Sequence, residues 1–187
     1  MKTIRLELLA NSVENNIVNL FKKFKEKPAV FLSKLDVIGY LYYLLITDPF
    51  LGYSPTIKNL APNVAKSKTF LIHAGLEVSI ENQNKQVAIS VGEAQKEIEL
   101  SNWDFPVGLE IEYNTIPTTN IQNIFAEDIK KVAKYKKGYL LWLNWNSPID
   151  DENLREAQEL ISKQENVKLF YLDLFSNPAK TNVKKIA

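Results

Sequence analysis

The sequence predicts an α/β fold: a mixed central β-sheet flanked by helices on both faces. Three observations lead there. Stretches of period-two and of helical periodicity follow one another in the order α, α, β, β, (β), β, α, β, α, β. The closing β-α-β-α-β run requires parallel strands joined by crossover helices. Finally, "GYLLWLNW" (Gly138 to Trp145) is unbroken apolar sequence, as expected of a strand covered on both sides.

Near the start, "TIRLELL" reads as a short strand and "ANSVENNIVNLFKKFKEK" as a helix. Asn11 with Glu14 fits a capping box, and Val13, Ile17, Leu20, Phe21 and Phe24 recur at helical spacing. Lys22, Lys23, Lys25 and Lys27 crowd its last turns, where cations suit the helix dipole. Pro28 ends it. A second helix begins near Ser33, with Asp36 as the box partner. "KLDVIGYLYYLLIT" is apolar almost all round, which predicts a buried helix with Asp36, Tyr40 and Tyr43 as its polar edge.

From Thr47 to about Ser67 the chain carries Pro49, Pro55, Pro62 and Gly52. A loop this long is either functional or contains a short helix. "TFLIHAGLEVSI" and "QVAISV" then alternate as strands around the turn "ENQNK", and "KEIELS" reads as a further short strand. "GLEIEY" places Leu109, Ile111 and Tyr113 on one face and Glu110 and Glu112 on the other. A helix over Ile121 to Lys136 follows, with Phe125, Ile129 and Val132 on its core stripe and Lys130, Lys134 and Lys137 together on another face. After "GYLLWLNW" come the helix "DDENLREAQELISKQ", the strand "NVKLFYLDL" and a polar, basic tail over 176–187.

Composition narrows the chemistry. The 187 residues suit one domain, with 45% hydrophobic and 24% charged residues as in an ordinary globular protein. No apolar run approaches the roughly 20 residues of a membrane span, and the amino terminus lacks a signal-peptide pattern; the expectation is an intracellular protein without membrane contact. Absence of cysteine excludes disulfides, thiolate metal sites and cysteine nucleophiles. The single His73 excludes paired-histidine metal motifs and reads as a hydrogen-bonded sheet residue. The net charge of +1 exerts no global pull on nucleic acid, and with arginine only at Arg5 and Arg155 the chain is poor in forks for phosphate and base edges.

Glu110 and Glu112 project to the same side of one strand, so a divalent cation between them is geometrically allowed. The bland reading is the solvent face of an alternating strand. The order of "LDVIGYLYYLL", "FLIHAGLEV", "QVAISV", "GLEIEYN" and "DIKKVAKYKKGYLLWL" resembles the PD-(D/E)xK nuclease superfamily over about residues 33–145. The resemblance implies a restriction-endonuclease-like core (αβββαβ), here with an extra amino-terminal helix and a carboxy-terminal αβ extension. It implies a metal site in which Asp36 matches the helix acid and Glu110 the acid of the (D/E)xK strand. It also exposes two departures. Ala88 stands where the family has a metal-binding Asp, and Glu112 stands where it has the lysine.

Ala88 has no ligand oxygen. Glu112 puts a negative charge where a scissile phosphate would lie; one like-charge contact at ~4 Å and a dielectric of about 20 costs on the order of 4 kcal/mol. The expectation is therefore a degenerate, catalytically inactive nuclease-fold protein with a structural, regulatory or nucleic-acid-binding role and no cofactor. In that reading the lysine face of Lys130, Lys134 and Lys137 is the candidate contact for nucleic acid. The first alternative is an active Mg²⁺- or Mn²⁺-dependent nuclease using Glu110, Glu112 and Asp36 or Glu77, with Lys85, Lys130 or Lys134 substituting for the lost lysine. The second is a protein-interaction module, pairing with a partner or with itself, whose surface Trp103, Trp142 or Trp145 would mark; of these Trp142 is expected to be buried.

Overall fold

A computed structural model of the chain describes residues 2–52, 56–57, 71–93, 97–98, 103–114, 121–144, 151–173 and 184–186. Most of the proline-bearing loop, Trp145 and most of the basic tail lie outside the described residues. Helix α1 runs without interruption from Lys2 to Glu26. The expected initial strand is thus absent, and Asn11 and Glu14 lie inside the helix rather than capping it. The reason is visible in the register: buried Leu9, Ala10, Val13, Ile17, Leu20, Phe21 and Phe24 continue one helical stripe back into the supposed strand. A short 3₁₀ turn, Pro28–Val30, follows.

Helix α2 spans Lys34–Thr47 and starts as expected. The Ser33 hydroxyl accepts from Asp36 N–H, and the Asp36 carboxylate accepts from Ser33 N–H at 2.8 Å. Asp48 closes the helix. Its Oδ1 accepts from the N–H groups of Phe50 and Leu51, and its Oδ2 from Ser12 Oγ and Asn16 Nδ2 of α1 at 2.8 Å each. Burial works against the charged form here, but these four donors hold the carboxyl below its ordinary range. The expectation that α2 is buried is only partly met: Val37, Leu41 and Leu45 are covered, while Leu35 and Tyr43 are exposed.

Among the described residues eight strands follow: β1 (Thr56–Ile57), β2 (Ile72–Ile80), β3 (Gln83–Val91), β4 (Glu97–Ile98), β5 (Val107–Asn114), β6 (Lys137–Asn144), β7 (Val167–Asp173) and β8 (Lys184–Ile186). Strands β1 and β4 form a small parallel pair. The main sheet has the order β2-β3-β5-β6-β7-β8, parallel from β5 to β7 and antiparallel elsewhere. Helix α3 (Ile121–Val132) connects β5 to β6, and α4 (Asp151–Ser162) connects β6 to β7. The mixed sheet with helices on both faces is as the sequence predicts.

Helix α3 ends at Val132, four residues short of expectation, because Ala133 to Lys136 turn the chain into β6. Three residues of the tail, as β8, extend the sheet edge. Among the described residues, no helix is long and apolar enough to cross a membrane.

Alternation along the central strands feeds two cores. Leu109 and Ile111 of β5, with Tyr139, Leu141 and Leu143 of β6, pack beneath α1 and α2. Leu140 and Trp142 of β6 and Leu169 and Tyr171 of β7 pack against Phe125 and Ile129 of α3 and Ala157 and Ile161 of α4. Trp142 is buried as expected, edge-on to Phe125 at 4.4 Å. Trp103 is buried too, its indole N–H donating to Glu93 O, so it marks no partner surface. His73 stacks edge-on against Trp103 and Phe105, at 5.1 and 5.4 Å.

A candidate site at the edge of the third sheet strand

The candidate site lies where β3 leaves β5. Their pairing covers Val91↔Val107, Ser90↔Gly108 and Ile89↔Leu109. Within the hairpin, Gly75 falls between the pairs Ala74↔Ile89 and Leu76↔Val87 and so stands across from Ala88. Its φ of +70° is the left-handed region, which glycine adopts without a Cβ clash. At this bend the Ala88 N–H is donated to Glu110 Oε2, at 3.3 Å. Ala88 therefore contributes backbone to the position opposite Glu110, and its side chain supplies no ligand.

Glu110 is 3% exposed, on the face of β5 turned toward α3. Such a carboxylate is stable only with compensating partners. Lys34 Nζ, from the first turn of α2, lies 3.3 Å from Glu110 Oε1 and 3.1 Å from Glu112 Oε1. Lys131 Nζ, on α3, lies 3.6 Å from Glu110 Oε2 and 2.7 Å from Asp128 Oδ1. The Ile111 N–H donates to Glu110 Oε1 at 3.3 Å. Helices from opposite faces of the sheet thus meet on one glutamate. Burial alone would lower both lysines. The carboxylates outweigh it and hold both above the ordinary lysine range, Lys34 mainly through Glu112 and Lys131 mainly through Asp128.

Asp128 completes the cluster. It is buried, and among the described residues its Oδ2 receives no hydrogen bond. Burial first, and the facing Glu112 carboxylate second, push its carboxyl up to about 7, against the pull of Lys131. A proton on Asp128 lets this carboxyl donate a hydrogen bond to Glu112. With a proton on Asp128, the three carboxyl groups and two ammonium groups make a neutral assembly.

The other expected site residues lie elsewhere or are otherwise engaged. The Asp36 Oδ2 is held by Leu32 N–H, Ser33 N–H and Ser33 Oγ as the cap of α2. Glu77 is exposed on β2 and accepts from Asn84 Nδ2 at 3.1 Å. Glu77 and Lys134 meet instead in a shallow cleft of about 340 Å³, lined also by Leu76, Val78, Phe105 and Tyr135.

The expected lysine face is not a single helix face. Lys130 on α3 pairs with Glu81 at 2.7 Å, Lys134 lies in the turn after the helix, and Lys137 opens β6 and lies 3.5 Å from Glu7 of α1. Lys85 pairs with Glu127 at 3.1 Å. The residues that reading the sequence did not assign to the site are Lys34, Asp128 and Lys131. Only the i, i+3 spacing of Asp128 and Lys131 in "DIKK" was available as a signal.

Among the described residues no group of three or more His, Asp or Glu side chains is arranged to hold a metal ion. The cluster shows why: Lys34 and Lys131 stand against Glu110, Glu112 and Asp128 where a cation would compete for the same oxygens. As arranged, the residues do not fit a divalent cation. No protein-family model matches this chain, and neither does any curated protein or solved structure. What fold and site define together is an α/β protein with a carboxylate–lysine cluster centred on buried Glu110 of a central strand.

Proposed function

We propose that the chain is a nuclease-like protein whose metal strand no longer serves catalysis, and that it acts as a structural, regulatory or nucleic-acid-binding component. The observation that carries this reading is the closure of Glu110 by Lys34 and Lys131. Two ammonium groups take the role that a metal ion would have at the matching position of a PD-(D/E)xK enzyme. The loss of the Asp at Ala88 and the engagement of Glu112 with Lys34 and Asp128 point the same way. The order of a helix, a hairpin, the Glu110 strand, a crossover helix and a further strand agrees with the resemblance that suggests a restriction-endonuclease-like core.

A specific observation supports a second reading, a Mg²⁺- or Mn²⁺-dependent nuclease with migrated ligands. Asp128 brings a third carboxyl beside Glu112, from a helix that the family motif does not use. Titration calorimetry with Mn²⁺ separates the two. The non-catalytic reading expects no micromolar binding, no difference on Glu110→Ala, and no cleavage of duplex, single-stranded or branched substrates with either metal. Micromolar binding abolished by Glu110→Ala would sink it in favour of the second. Nucleic-acid affinity, measured separately, should fall linearly in log–log form with salt if lysines contact the phosphates.

A further inference from the structure

Helix α2 carries an uncovered apolar ridge on the side away from the sheet. Leu35 is 75% exposed and Tyr43 55% exposed, with Gly39 midway between them. The three recur at i, i+4 and i+8, so they lie along one helix face. A Cβ built on Gly39 would meet nothing within 4 Å, so the ridge has an open notch at its centre. Val30 and Leu32, the latter 76% exposed, immediately precede the helix, and Phe50, also exposed, follows it. Single exposed apolar residues need no explanation, but two on one helix face with further exposed apolar residues just before and after that helix do.

The ridge also has a charged end. Lys22, Lys23, Lys25 and Lys27 close α1 immediately before Pro28, opposed in that stretch only by Glu26. Among the described residues none of these lysines has an ion-pair partner, whereas Lys34, Lys85, Lys130, Lys131, Lys136, Lys137 and Lys168 all do.

We propose that the Leu35–Gly39–Tyr43 face of α2, with Val30 and Leu32, docks an amphipathic helix of a protein partner whose flank is acidic where it meets Lys22, Lys25 and Lys27. The apolar face of that helix lies along the ridge, with one large side chain seated in the notch at Gly39. Charge complementarity selects this occupant over a second copy of the chain. The only acids of α2 and its caps are Asp36 and Asp48, and both carboxylates are already satisfied within the protein, so a second α2 brings no free acid to the lysine end. Leucines three-quarters exposed select it over nucleic acid, which would use the lysines and leave the ridge in water. This surface is separate from the carboxylate cluster and does not depend on the function proposed above.

The test uses the full chain and two synthetic amphipathic peptides of about five helical turns. Both have leucines on one face, flanked by glutamates in one and lysines in the other. With ¹⁵N-labelled protein, the acidic peptide should shift amides from Val30 to Phe50 and bind roughly tenfold tighter than the basic one. Lys25→Glu with Lys27→Glu should reverse that preference. Gly39→Leu should weaken binding about tenfold while keeping or raising Tm, because leucine favours a helix interior more than glycine does. Equal binding of both peptides, no response at ~1 mM peptide, or displacement of the peptide by a duplex oligonucleotide would overturn the proposal. So would a dimer of the free chain broken by Leu35→Ser, or a large fall in Tm when Leu32 and Leu35 become serine, since the ridge would then already be covered.

Discussion

The same two residue types, lysine and carboxylate, build two very different assemblies in this molecule. On the outside, Lys85–Glu127 and Lys130–Glu81 tie the β2–β3 hairpin to α3 at 3.1 and 2.7 Å. On the inside, Lys34 and Lys131 pair with Glu110, Glu112 and Asp128. The outer distances are as good as the inner ones. The difference is solvent. Exposed charges are screened and lose side-chain freedom when they pair, so such pairs add little. Glu110 and Asp128, with side chains 4% and 5% exposed, have no water to fall back on and depend on their partners, although Lys34 itself reaches solvent as far as Lys85 does.

The largest expected effect comes from breaking the inner set at its centre. Glu110→Ala leaves Lys131 without one of its two counterions and orphans the Ala88 N–H. It should destabilise by about 3–5 kcal/mol, measured by urea or thermal unfolding. A cost under about 1 kcal/mol would mean that water already reaches the cluster.

Next in size is a dependence on pH. Unfolded Asp128 releases its proton near 3.8, and folded Asp128 holds it to about 7. Between those values the native state binds more protons than the unfolded state, so stability falls as pH rises and levels off above the folded value. The full span is on the order of 4 kcal/mol, because one proton held across each pH unit of that window contributes about 1.4 kcal/mol. Asp128→Asn mimics the protonated group, so it should flatten this slope and be more stable than the parent at pH 8. An unchanged slope in that variant would place the titration elsewhere.

Glu112→Gln sharpens the same point with a smaller change. It removes the charge that helps to hold the proton on Asp128, so the pH transition should move toward lower pH, with a loss of about 1 kcal/mol near pH 6. The smallest effect belongs to the outer assembly. Glu81→Gln with Glu127→Gln should leave the unfolding midpoint within error at moderate salt. A clear drop that persists in 1 M salt would refute the contrast between the two assemblies.

Different elements were legible in the sequence to different degrees. The Ser33–Asp36 box, the break at Pro28, the hairpin around "ENQNK" and the doubly covered strand at "GYLLWLNW" were plain, because each depends on neighbours a few residues away. The amino-terminal strand was misread because four alternating residues fit both periods, and only the longer stripe to Phe24 decides between them. The end of α3 was misplaced because Tyr135 and Lys136 fit a helix locally, yet Gly138 has to enter the sheet beside Gly108.

Local pattern, then, determined by itself most of the element types from α2 to β7, the parallel section of the sheet and the two-sided burial of its centre. It also marked Glu110 and Glu112 as unusual, since their alternation puts both on one face of β5. Only the tertiary structure decided what those carboxylates do. Lys34 lies 78 residues before Glu112, on a helix packed against the other face of the sheet, and no periodicity couples the two. An ion pair is selected by distance in space and by exclusion of water, and neither quantity is written along the chain.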